Sequence, residues 1–172
     1  IAQRKEWEFP LDFLPHIREH CNKVDLKLGV TPFYIDAVRI CDPYVDFYKV
    51  ASYELMWDQL HLKISRSEKP VIISSGMATL DELQRAKSNY KQGPLFEQPS
   101  FLHCVSAYPA NPKNVNLAAI ETMRLNLKTP IGWSDHTCDE DVILCAKLKY
   151  EAEIFELHFD LDGEGKEAVV GH

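Results

Sequence analysis

Short runs of β-branched, aromatic and other apolar residues alternate along this chain with longer stretches in which apolar positions recur every three or four residues. The runs predict strands at Leu26–Val30, Asp46–Val50, Val71–Ser74, Phe101–Val105, Pro130–Trp133 and Ile154–Leu157. They recur about every 20–30 residues, the spacing of βα units in parallel sheets. The strands are apolar on both faces rather than alternating, which suits a sheet covered on both sides. The stretches between them read as helices. Leu117, Ile120, Met123 and Leu127 form one helical stripe, read as core packing. Thr79-x-x-Glu82 and Thr137-x-x-Glu140 have the form of capping boxes, in which the threonine oxygen takes a free N–H and the glutamate reaches back to the cap. Pro10 is expected to open an N-terminal helix that buries Leu14, Ile17 and Cys21. Gln92–Ser100, with Gly93, Pro94 and Pro99, reads as a surface loop.

Composition narrows the picture. The 172 residues suffice for one domain with a substantial core. A formal net charge of -7 argues against nucleic acid as a partner, while leaving room for a small anion in a locally positive pocket. The five cysteines are odd in number and form no CxxC, so neither a disulfide framework nor a zinc knuckle is expected. Cys104 and Cys145 lie in apolar runs and read as core residues. The expected compartment is a reducing cytoplasm. No signal peptide is seen, and no apolar run approaches the roughly 18 residues of a membrane span. The chain starts at Ile1 and stops at His172 just after Val169-Val170, so a fragment of a longer protein is expected.

Six βα units build either an open doubly wound sheet or most of an eight-stranded barrel, which typically needs about 250 residues. Polar and reactive side chains decide between them, because they gather just after the strands. In chain order they are Thr31; Lys49, Ser52 and Glu54; Ser74, Ser75 and Gly76; Ser106 and Tyr108; Ser134, Asp135 and His136; and His158. Parallel α/β folds carry their sites at the carboxyl ends of the strands. A barrel lets all six loops face one point, whereas an open sheet splits them around a switch point. The barrel is therefore the expected architecture.

The residue types describe a task. Lys49 brings a positive charge, the hydroxyl groups bring donors, and Ser75-Gly76 offers backbone N–H groups at a turn; as a set they suit a phosphate or carboxylate. Any one serine alone reads as an ordinary cap or turn residue. His136 and His158 end neighbouring strands and can share a divalent metal with open positions for water and substrate, although singly each reads as a hydrogen-bonded histidine. His103 lies mid-strand and reads as structural. Glu54 suits sugar hydroxyls or proton transfer, and equally a carboxylate at a helix start.

Six segments carry a resemblance: Val30-Thr-Pro-Phe33, Tyr48-Lys-Val-Ala-Ser-Tyr-Glu54, Pro70-Val-Ile-Ile-Ser-Ser-Gly-Met-Ala78, Leu102-His-Cys-Val-Ser-Ala-Tyr-Pro109, Gly132-Trp-Ser-Asp-His-Thr137 and Glu156-Leu-His-Phe159. In order and spacing they resemble the sialic acid synthase family, which includes the N-acetylneuraminate, legionaminate and pseudaminate synthases. The resemblance implies a (β/α)8 TIM-type barrel of which this chain holds strands 3–8. It implies that two N-terminal strands and a C-terminal antifreeze-like domain are absent, and that the full-length protein is a homodimer. The implied reaction joins phosphoenolpyruvate to an N-acetylated amino-sugar aldehyde, giving a nonulosonic acid and phosphate. Thr31, Lys49, Ser52, Ser74, Ser106, Tyr108 and Ser134 are then the phosphoenolpyruvate contacts. His136 and His158 hold a divalent ion, Mn2+ with Mg2+ or Co2+ as alternatives, and Glu54 and Glu167 face the sugar. Ser106 stands where neuraminate-type members often carry asparagine, and Ser-Ala-Tyr-Pro is similar to the pseudaminate branch. Three other readings stay open: a Schiff-base aldolase using Lys49, a metal-dependent hydrolase, and a barrel-derived scaffold or binding module that has lost activity.

Overall fold

A computed structural model describes residues 9–90 and 98–159. Six parallel strands form one sheet in sequential order: β1 (Gly29–Val30), β2 (Phe47–Val50), β3 (Val71–Ser74), β4 (Ser100–Cys104), β5 (Ile131–Asp135) and β6 (Phe155–Leu157). Helices precede or connect them: α1 (Leu14–Lys23), α2 (Ile35–Cys41), α3 (Asp58–Ser65), α4 (Leu80–Ser88), α5 (Ala119–Leu127) and α6 (Glu140–Leu148). The order follows from short βα connections, each returning the chain to the next position on the same edge.

The pleat sorts the strands into two faces. Tyr48, Val50, Ile73, Phe101, Ile131 and Trp133 are fully buried and form the layer under the helices with Leu60, Ile64, Ile120 and Leu127. The opposite face is mixed. Register sets Lys49 beside Ile72, Ser74 beside Leu102, Cys104 beside Ser134, and Ser134 beside Glu156. This is the correction to the expectation of uniformly apolar strands: the concave face carries the polar groups. A cavity of about 370 Å³ on that face is lined by residues of both edge strands, Val30 on β1 and Glu156 on β6, together with Lys49, Ile72 and Leu102. A flat sheet would hold its edges apart, so the sheet is curled as part of a TIM-type barrel.

Local expectations fared unevenly. The Thr79 capping box is complete, with Thr79 Oγ1 accepting from Glu82 N and Glu82 accepting from Thr79 N at 2.7 Å. The Thr137 box does not form: α6 is capped by Asp139, which accepts from Asp141 N at 3.0 Å. Thr137 instead donates to Asp135 Oδ1 at 2.7 Å. Pro10 precedes a 3-10 turn at Leu11–Phe13, and α1 begins only at Leu14, with Pro15 in its first turn; Leu14 is its buried residue, Ile17 and Cys21 being half-buried. The stripe Ile120, Met123 and Leu127 is buried on α5, with Leu117 buried just before it. Residues 92–97 of the expected surface loop lie outside the described residues, and Ser100 opens β4. Cysteines 21, 41, 104, 138 and 145 are all free thiols, and among the described residues no helix is long and apolar enough to cross a membrane.

Candidate active site

Strand β2 ends in the cavity with Lys49, which is 9% exposed. Its ammonium donates to Ser74 Oγ at 2.7 Å and to Val50 O at 3.3 Å, and pairs with Glu156 Oε1 at 3.3 Å. Thr31, just past β1, lines the same cavity. Beyond β2 the chain makes a 3-10 turn at Ser52–Glu54, and beyond β3 it turns through Gly76 at φ +51°. A Cβ on Gly76 would lie 2.4 Å from Ser52 Cβ and 3.5 Å from Ser106 Oγ, so three loops meet where only glycine fits.

Three buried oxygens near these loops have no hydrogen-bond partner among the described residues: Glu54 Oε2, Ser75 Oγ and Ser106 Oγ. Buried polar atoms nearly always have partners, so these oxygens suit a polar ligand. Burial pushes the Glu54 carboxyl above its ordinary value, against the lowering charge of nearby Lys49. One expectation fails here. The backbone N–H groups of Ser75 and Gly76 are not available to an anion, because they donate to Leu102 O at 2.8 Å and to Cys104 Sγ at 3.1 Å. A strand end in a parallel sheet finds ladder partners that a turn motif read alone does not reveal.

The second part of the site lies after β5 and β6. His136 Nδ1 is 2.8 Å from Val105 O; a carbonyl only accepts, so Nδ1 carries the proton and the lone pair is on Nε2. The next loop is stitched back, with Ala110 N donating to His136 O at 2.7 Å. Ser134 Oγ is 3.5 Å from Nε2. The ring centroids of His136 and His158 are 5.5 Å apart, and Tyr108 packs at a tilt against His136 at 4.1 Å and meets His158 edge-on at 5.9 Å. Burial lowers the His136 pKa, which favours the neutral ring that a metal requires. Asp135 Oδ1 accepts from Trp133 Nε1 at 3.0 Å and from Thr137, bracing the Ser-Asp-His turn.

The spacing of the two histidine rings is compatible with one divalent ion between them. With metal–nitrogen bonds near 2.0–2.1 Å, two ring centroids around one ion lie about 4.5 Å apart at a right angle and about 6.4 Å apart in line. The observed separation falls between those limits. Among the described residues no group of three His, Cys, Asp or Glu gathers.

The anion and imidazole parts are joined through Glu156, which pairs with Lys49, neighbours Ser134 in register and raises the His136 pKa by its charge. Glu156 is the residue that motif reading passed over. Its signal was the period of two, which puts it on the same strand face as His158. His103 is structural as read: Nε2 lies 2.8 Å from Val115 O and the ring packs on Trp133. Glu167 lies outside the described residues.

A curled parallel sheet with polar groups gathered at the carboxyl ends of its strands is the form of a TIM-type barrel. The sequence profile of the NeuB family matches residues 1–169, and the chain belongs to that family. It is 34% identical over 156 residues to pseudaminic acid synthase of Helicobacter pylori, covering 89% of this chain and 45% of that protein. It is 32% identical over 145 residues to N,N'-diacetyllegionaminic acid synthase of Campylobacter jejuni, covering 83% and 43%. The structure of an N-acetylneuraminic acid synthetase from Leptospira borgpetersenii, in complex with citrate, superposes with a TM-score of 0.87 at 30% identity, covering 96% of this chain and 58% of that one. A truncated 3-deoxy-D-arabino-heptulosonate 7-phosphate synthase from Thermotoga maritima shares the fold, with a TM-score of 0.69 at 17% identity. The chain spans less than half the length of these curated relatives.

Proposed function

We propose that the protein carrying this chain condenses phosphoenolpyruvate with an N-acetylated amino-sugar aldehyde, releasing phosphate and a nonulosonic acid. One observation carries the reading: an imidazole pair stands beside a buried lysine–serine cradle, joined to it through Glu156. Relatives named as pseudaminic and legionaminic acid synthases support it, as does a structural relative that holds citrate, a polyanion.

His136 and His158 would hold a manganese-type divalent ion, with magnesium or cobalt as alternatives, and that ion would supply Lewis-acid polarisation of the aldehyde oxygen. The chain's own residues do the rest. Lys49, Ser74, Ser134 and Thr31 bind the anionic substrate, with Ser52, Ser106 and Tyr108 closing around it. They hold its enol carbon against the aldehyde carbon, and such positioning supplies much of the acceleration. A carbon–carbon bond forms as the aldehyde π bond breaks. Water then adds to the cation-like carbon bearing the phosphate oxygen, and its first proton goes to the alkoxide formed from the aldehyde. The carbon–oxygen bond to phosphate breaks as the remaining hydroxyl gives its proton to the departing phosphate, leaving the ketone. Glu54, half-buried with one orphaned oxygen, suits moving that first proton or holding a sugar hydroxyl.

The test is phosphate release from phosphoenolpyruvate with a panel of amino-sugar aldehydes. Turnover should require a divalent ion, and His136→Ala should lower it at least about a hundredfold. Full turnover in excess chelator would falsify the metal role. A borohydride-trapped adduct on Lys49 would favour the Schiff-base aldolase instead.

A further inference from the structure

The Ser52–Glu54 turn carries two of the proposed site residues. Its backbone bonds run from Glu54 N to Ala51 O at 3.0 Å, from Leu55 N to Ser52 O at 3.5 Å and from Trp57 N to Glu54 O at 2.9 Å. A further support comes from outside the cavity. His61, on α3 and fully buried, has Nε2 at 2.7 Å from Leu55 O and Nδ1 at 2.8 Å from Tyr90 Oη. The carbonyl only accepts, so Nε2 carries the hydrogen and Nδ1 accepts from the tyrosine hydroxyl. Tyr90, 7% exposed, follows α4 and meets the His61 ring edge-on at 5.5 Å. Asp58 at the start of α3 is in turn bound by Arg85 at 2.5 Å and Asn89 at 3.2 Å. The carbonyl after Glu54 is thus tied, through two directed hydrogen bonds, to a clasp between two helices.

A leucine would fill the same apolar space without the cost of burying an imidazole and a phenol. What those polar groups add is direction, because each hydrogen bond fixes an atom rather than a volume. We infer that His61 and Tyr90 are a positioning pair that sets the Ser52–Glu54 turn against the site. This rests on the proposed function for its catalytic consequence, but not for its structural one.

The test uses the protein as its gene encodes it, with His61→Leu, His61→Gln and Tyr90→Phe. Glutamine keeps an N–H donor near the Nε2 position. In His61→Leu, amide exchange at Glu54–Trp57 should quicken about tenfold while β3 and α5 stay unchanged. The kcat for phosphate release should fall about tenfold, and His61→Gln should recover it to within about twofold. If His61→Leu fails to fold, Tyr90→Phe decides, since it removes one hydroxyl and should loosen the same four residues. Exchange that rises uniformly, a glutamine variant no better than leucine, or an Nδ1–H tautomer in the ring's nitrogen spectrum would each overturn the inference. A wild-type protein that releases no phosphate would sink the functional reading, while the exchange arm would still judge the pair.

Discussion

Gly76 shows how much one position constrains this site. Its φ of +51° is in the left-handed region, and a methyl group there would overlap Ser52 Cβ at 2.4 Å. Neither side can yield cheaply, because Ser52 Cβ is fixed to its own backbone. Gly76→Ala should therefore cost about 1–2 kcal/mol from the backbone conformation alone, read as a lower urea midpoint. It should also raise the KM for phosphoenolpyruvate, since Ser52 and Ser106 are displaced together; an unchanged KM would separate Gly76 from the binding site. At this scale the sequence was informative where the residue type was diagnostic. Lys49, Ser74, Ser134 and His136 stood out as polar groups at the ends of apolar runs, and they do meet across the concave face. Glu156 did not stand out, because a carboxylate inside a strand looks like a solvated one until register brings it opposite Ser134 and within reach of Lys49.

Elements were legible in kind and approximate in extent. All six strands lie within the expected runs or shift by one or two residues, because the apolar pattern specifies burial while ladder bonds decide where pairing stops. Two similar capping motifs came out differently, and the reason is local competition. Thr79 is preceded by a turn and is free to cap α4. Thr137 lies two residues past Asp135, whose carboxylate takes its hydroxyl. The two threonines should therefore fail differently. Thr79→Ala should lower stability by about 1 kcal/mol, visible in chemical denaturation, with metal affinity unchanged. Thr137→Ala should leave the Asp139 cap of α6 in place, losing only the Asp139 N–H bond to Thr137 Oγ1 at 3.1 Å, and should chiefly weaken the proposed divalent-ion binding by loosening the brace on His136, measured by titration calorimetry. Equal effects of the two on helix stability would contradict this assignment.

For the molecule as a whole, the apolar pattern carries no measure of curl, which shows only where β1 and β6 line one cavity. Nor could it show that two histidines would be buried and a third half-buried in one fold. His61, His103 and His136 all have pKa values pushed down, in each case mainly by burial. The native state therefore prefers the neutral rings, while the unfolded chain takes up protons at the ordinary histidine value of about 6.5. Where the unfolded state binds more protons, stability rises with pH. The folded protein should be fully supported above that value and lose stability progressively as pH falls from about 7 towards 5. Glu54, raised by burial, acts in the opposite sense, whereas the hydrogen-bonded Asp46 and Asp58, held low, act in the same sense as the histidines but withdraw their support only on further acidification. The histidine step should thus be separable. Each kcal/mol lost lowers the melting temperature by roughly 2–4 °C at this size, so a scan from pH 7.5 to about 5.5 should show a clear fall. His103→Gln, which keeps an N–H donor for Val115 O while removing a titrating group, should flatten that fall. A melting temperature that holds or rises over the interval would mean that these imidazoles are charged in the native state, and the neutral His136 that the proposed metal role requires would go with them.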